Sequence, residues 1–164
     1  MLTLNVRGLR TSVQVFILWL YLEELAAAGV HPDVVCLQET WLKPGDELAL
    51  PGWETFRCDR RGKGGGGVAT LTRPWCQAHL AVDVPELAGE GARCCEAITV
   101  VIPTVVAAAH TAVSDGGGFY VPNAYRAPTA PEAETAHFLA SRSSSACRRI
   151  VATVRSSSSF SLAV

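Results

Sequence analysis

Residues 32–40 read Pro-Asp-Val-Val-Cys-Leu-Gln-Glu-Thr, and the fold turns on how this stretch is read. Val34–Leu37 is an unbroken apolar run, too short for a helix and without the alternation of a strand that has one wet face. It reads as a buried strand of the parallel-sheet type, entered through the His31-Pro32-Asp33 turn and continuing to Gln38. Upstream, Leu2–Val6 predicts a second short strand, broken by Gly8. Between them Thr11 or Ser12 caps a helix from about Val13 to Ala28, which Gly29 closes. Its apolar residues cover more than one stripe, which predicts burial on more than one side. Strand, helix, strand is a βαβ unit whose strands run parallel. Parallel neighbours end at the same edge, so Asn5 and Glu39 are expected to share one cleft.

Downstream, Pro44-Gly45-Asp46 and Pro51-Gly52 mark turns. Trp53–Cys58 and Val68–Thr72 form a hairpin around Gly64–Gly67, with a basic tip of Arg60, Arg61 and Lys63. No Lys-Ser/Thr pair and no helix start follow the glycines, so they are turn and close-approach positions, not a phosphate loop. Further strands are expected at Ala81–Val84, Ala97–Ile102 and Tyr120–Ala124, and a short helix at Pro131–Ser141. Ser141–Val164 holds nine serines and four arginines with no acidic residue. It reads as low-complexity coil with one strand candidate, Ile150–Val154. The chain thus divides into a domain over residues 1–140 and a tail over 141–164.

A chain of 164 residues is the size of one domain, and 49% hydrophobic residues exclude a wholly disordered protein. A net charge of -1 argues neither for nor against nucleic acid; only local basic patches bear on it. The six cysteines form no CxxC pair, and the four histidines make no zinc spacing with them. A reducing compartment, nucleus or cytoplasm, fits better than a secreted disulfide scaffold. The longest apolar run, Val15–Leu22, is too short to cross a bilayer, which needs about 20 residues, so no membrane span is expected.

Three residues stand where chemistry is plausible. Glu39 ends an apolar strand, a position suited to magnesium, which prefers hard oxygen ligands; a solvent-facing carboxylate is the ordinary alternative. Asn5 carries a donor and an acceptor that orient a carboxylate, a water or a phosphate, or that bond backbone in a turn near Gly8. Tyr125 follows an apolar strand and precedes Arg126; its phenol either contacts a phosphate or packs as a half-buried aromatic.

Taken in order, Asn5–Leu9 (NVRGL), Pro32–Thr40, Trp41-Leu42-Lys43, Pro51-Gly52-Trp53, Arg57–Arg60 (RCDR), Gly65–Ala69 (GGGVA) and Tyr125–Thr129 (YRAPT) span residues 2 to about 138. In order and spacing the chain resembles the endonuclease/exonuclease/phosphatase superfamily, particularly the endonuclease domains of non-LTR (LINE-type) retrotransposons. The resemblance implies an α/β fold, a four-layer α/β/β/α sandwich of the DNase I-like kind, here incomplete. It implies phosphodiester hydrolysis of DNA with magnesium, or manganese in its place. Glu39 then corresponds to the metal-binding glutamate, Asn5 to the asparagine near metal and phosphate, and Tyr125 to the tyrosine that positions the scissile phosphate. Glu96 falls where relatives carry a glutamate at a strand start. Arg60, Arg61 and Lys63 either grip the DNA backbone or form a solvated hairpin tip, and with Arg126 they are the expected substrate contacts. The implied partners are DNA and a retroelement reverse transcriptase within a longer polyprotein.

Two departures matter. Relatives carry a Gly-Asp-Phe-Asn block and a Ser-Asp-His block that orient the reaction and activate water; this sequence has neither, and His110 and His137 lie in the wrong surroundings to substitute. The Tyr-Arg-Pro-Pro pattern has become Tyr-Arg-Ala-Pro. These departures imply a truncated copy with weak or no turnover, and a half-covered sandwich of marginal stability. The competing readings are a non-catalytic nucleic-acid-binding or structural remnant, and another phosphodiesterase of the superfamily.

Overall fold

The computed structural model describes residues 1–60, 65–81, 95–103, 118–126 and 153–155. The βαβ unit forms as the sequence predicts. Strand β1 (Leu2–Asn5) pairs in parallel with β2 (Val34–Gln38), setting Asn5 opposite Gln38 at their shared end. Helix α1 (Ser12–Ala27) joins them, and Thr11 is its N-cap. The Thr11 hydroxyl accepts from the Gln14 backbone N–H while the Gln14 side chain accepts from Thr11 N–H, a reciprocal capping box.

The expected hairpin is also present. Strands β3 (Glu54–Cys58) and β4 (Val68–Thr72) pair antiparallel, and β4 pairs antiparallel with β2, giving a mixed sheet in the order β1-β2-β4-β3. A 3-10 turn (Pro74–Cys76) leads from this sheet towards a second, ordered β5 (His79–Leu80), β6 (Cys95–Pro103), β7 (Gly118–Arg126) and β8 (Thr153–Arg155).

Alternation along β2 and β4 divides the core. Val35, Leu37, Ala69 and Leu71 face α1, where Leu18 and Leu22 cover them. Val34 and Cys36 face the second sheet and meet Val121 and Ile102, while Val68 meets Ile98 and Tyr125. Among the described residues, helix, sheet and sheet therefore stack as three layers, a mixed α/β arrangement consistent with DNase I-like folds. The helix expected at Pro131–Ser141 lies outside the described residues.

Three expectations differ from what forms, and one strand candidate is met in part. The strand expected at Ala81–Val84 begins earlier, as β5, because pairing with Val100 and Val101 selects His79 and Leu80; residues 82–84 lie outside the described residues. Strand β7 extends past Ala124, so Tyr125 lies inside the strand and not after it. Within the tail, the strand candidate Ile150–Val154 is met in part by Thr153–Arg155, which pairs in parallel with Asn123–Tyr125; residues 150–152 lie outside the described residues. Helix α1 is buried on one side only: Val13, Phe16, Ile17 and Leu20 stay exposed. No helix among the described residues is long and apolar enough to cross a membrane.

Candidate active site at the shared strand end

Asn5 closes β1, and Glu39 follows directly on β2. The Asn5 Nδ2 donates to Glu39 Oε1 at 2.6 Å, and both side chains are half-buried. A carboxylate only accepts, so this bond fixes the amide with its nitrogen towards Glu39 and its oxygen away. That oxygen, Asn5 Oδ1, is buried and accepts no hydrogen bond. A buried acceptor left unsatisfied costs about 1–3 kcal/mol, so its orientation requires either compensation or a ligand.

The backbone carrying Glu39 is strained and clamped. Glu39 and Trp41 have φ of 56 and 55, and Arg7, on the neighbouring segment, has φ 47. Non-glycine residues in the left-handed region cost about 1–3 kcal/mol each, and such strain gathers at functional sites. Hydrogen bonds hold the segment on both flanks. On one side Val6, Gly8 and Leu9 donate to the carbonyls of Gln38, Glu39 and Thr40. On the other, Thr40 and Trp41 donate to Gly67 and Gly66. The glycine run is thus the close-approach element the sequence implied: at Gly67, with φ +82, a Cβ would stand 2.6 Å from Thr40 Oγ1.

Below Glu39 the two sheets are tied by buried amides, which the sequence reading did not single out. Gln38 Nε2 donates to Asn123 Oδ1 at 2.8 Å. Asn123 Nδ2 in turn lies within donating distance of the Ala69 carbonyl at 2.8 Å, and of the Leu37 carbonyl and Thr70 Oγ1, both at 3.3 Å. Asn123 is 1% exposed. The discoverable signal was the inner-face alternation Val121, Asn123, Tyr125, with an amide at a core position.

Tyr125 is buried on the same inner face, packed against Val68 and Ile98, and it pairs across the ladder with Glu96. Since Val68 lies opposite Gln38, the tyrosine enters at the Glu39 end of the sandwich. Among the expected backbone-contacting residues, Arg60 follows β3 and is half-buried, and Arg126 ends β7 opposite Cys95. Arg61 and Lys63 lie outside the described residues, as do His110 and His137. Arg57, part of the same motif, has a bracing role: it forms an ion pair with Asp59 at 2.6 Å and donates to the carbonyls of Lys43 and Asp46.

The sequence matches the model of the Endonuclease/Exonuclease/phosphatase family over residues 2–151. The chain belongs to that family. No curated protein matches it. Membership places the chain among phosphodiester and phosphate hydrolases, whose members generally depend on a divalent metal. The chemistry of the strand end suits such an ion: Glu39 is a half-buried carboxylate held by the Asn5 amide nitrogen, and Asn5 Oδ1, turned away from it, accepts no hydrogen bond. Among the described residues no three or more His, Cys, Asp or Glu side chains gather into a metal-binding group. Glu39 would be the one carboxylate ligand from these elements, a number compatible with magnesium, which retains several waters.

Proposed function

We propose that this chain carries part of a divalent-metal-dependent DNA endonuclease domain of the non-LTR retrotransposon type. On this reading Glu39 holds magnesium, or manganese in its place. The supporting observation is the Asn5–Glu39 contact of 2.6 Å at the shared end of two parallel strands, with Asn5 Oδ1 left without a donor. The ion, when bound, supplies Lewis-acid polarisation of a phosphate oxygen. Asn5 orients the Glu39 carboxylate through its amide nitrogen. Tyr125 lines the approach from the second sheet and helps position the phosphate. Arg60, Arg61, Lys63 and Arg126 carry the DNA backbone, and a reverse transcriptase is the expected partner, in nucleus or cytoplasm.

The sequence lacks both blocks that would activate water and support the leaving group. Catalytic groups that act as a unit lose most of their effect when any is missing. The 164 residues are therefore expected to bind metal and phosphate with weak turnover or none.

The test combines manganese binding, followed by electron paramagnetic resonance, with nicking of supercoiled plasmid in magnesium or in chelator. The full chain is compared with Glu39→Ala. The expected result is metal binding lost in Glu39→Ala, with nicking near background in both. Equal manganese binding by both proteins overturns the assignment of Glu39. Strong metal-dependent nicking lost in Glu39→Ala overturns the expectation of weak turnover and removes the remnant reading.

A further inference from the structure

The outward positions of α1 are Val13, Phe16, Ile17, Leu20, Glu23 and Glu24, spaced by three and four and therefore on one face. The four hydrophobic residues are 40% to 63% exposed. Phe16 stacks on Trp19 at 5.7 Å between ring centroids. Beside them runs a groove of about 530 Å³, where Val15, Phe16 and Trp19 face Leu50 and Pro51. The sheet does not require this stripe, because Leu18 and Leu22 already cover it from the other side. Charge divides the stripe's ends. Arg7 and Arg10 precede the helix and are exposed, Glu23 and Glu24 close its outer face, and no Lys or Arg lies within Ser12–Ala27.

We propose that this face is a two-fold contact between two copies of the chain, with the α1 helices antiparallel. In that arrangement Arg10 of each copy meets Glu23 and Glu24 of the other. A parallel arrangement would set arginine on arginine and glutamate on glutamate. Arg10 is available for the exchange: its guanidinium stands 3.7 Å from Asp46 and its side chain is 49% exposed. A two-fold contact is self-complementary, so the residue midway along the stripe meets itself. Ile17 lies midway between Arg10 and Glu24, and Val13 of one copy then lies against the Leu20–Tyr21 turn of the other. A lipid surface fits less well, because interfacial helices carry Lys and Arg along their polar face, and α1 carries none. The patch is on the order of a few hundred Å² per copy. That is below the roughly 1,200–2,000 Å² total of a tight complex, so the dimer is reversible and concentration-dependent.

Sedimentation velocity of the full chain over a concentration series tests this, with circular dichroism to verify that each variant keeps its helix. The expected result is a monomer–dimer equilibrium abolished by Ile17→Lys. Arg10→Glu alone, or Glu23→Arg with Glu24→Arg, weakens it about tenfold, and combining all three restores it. Under oxidation Ile17→Cys gives a covalent dimer above the parent chain's background, and Val13→Cys does not. A monomer at every concentration overturns the proposal. So does assembly indifferent to Ile17→Lys, or equal crosslinking by both cysteine variants. A monomer that floats with phosphatidylcholine–phosphatidylserine vesicles assigns the stripe to lipid and equally overturns it.

Discussion

Gln38 and Asn123 join the two sheets through an amide–amide hydrogen bond of 2.8 Å at buried positions. Gln38 immediately precedes Glu39, and Asn123 lies two residues before Tyr125 on the same face of β7, so this bond registers both candidate site residues against one another. Asn123→Leu strands the Gln38 amide in the core and is expected to destabilise by on the order of 3 kcal/mol in urea denaturation. Gln38→Leu combined with Asn123→Leu recovers a substantial part, because removing both partners leaves neither unsatisfied. Additive losses in the double variant would show that the two amides are not energetically coupled.

Gly67 separates space from backbone preference. With φ +82 and a Cβ position 2.6 Å from Thr40 Oγ1, Gly67→Ala meets both a conformational cost and a clash. Gly29, at φ +80 with nothing within 4 Å, meets the first alone. Gly29→Ala is expected to cost about 1 kcal/mol, and Gly67→Ala at least twice that. Equal losses in thermal melts would mean that the segment after Glu39 yields freely.

Asn5→Asp replaces a donor with a second carboxylate 2.6 Å from the first. Like charges at that separation repel, so the variant is expected to melt below the parent in chelator. Millimolar magnesium then raises its melting temperature more than the parent's, since a ligand bound to the folded state stabilises it by mass action. Melting temperatures insensitive to magnesium in both proteins would count against an ion at this strand end.

Cys36 makes the fold alkali-sensitive. Desolvation between the sheets pushes its thiol up from 9.0 to about 11, against a smaller lowering by its hydrogen bond to Thr70. The folded state holds the proton more tightly than the unfolded one. This contribution is therefore complete below pH 9 and lost as pH rises towards 11. Denaturation at pH 7 and pH 10.5 is expected to show a loss on the order of 2 kcal/mol that Cys36→Ala largely removes. A loss unchanged in Cys36→Ala would trace it to other groups.

The legible parts of the fold were those with local signals. Thr11 or Ser12 marks the start of α1, the apolar run of Val34–Leu37 announces β2, and the glycines before Val68 announce β4; parallel pairing then places Asn5 beside Glu39. What escaped depends on partners distant in sequence. Two residues, His79 and Leu80, form β5 because β6 lies beside them, and nothing in their own types favours a strand. Pro122 and Asn123 break the apolar alternation of β7 and hide the fact that Tyr125 continues it inward. The apolar outer face of α1 has the sequence of a buried one, because hydrophobicity alone does not tell a core from an exposed surface.

Glu39 sits in what a sequence reader would class as a loop, yet its neighbours Thr40 and Trp41 donate to Gly67 and Gly66 while its own carbonyl receives Gly8. Ladder-like bonds on both flanks carry the cooperativity of the central strands past their ends. In hydrogen exchange the amides of Gly8, Leu9, Thr40 and Trp41 should open together with β2 and not with the turns around Gly45 and Gly52. The carboxylate is consequently anchored to backbone that is expected to exchange with the central strands. An incoming ligand meets a preset donor geometry, and little of its binding free energy is consumed in ordering the chain.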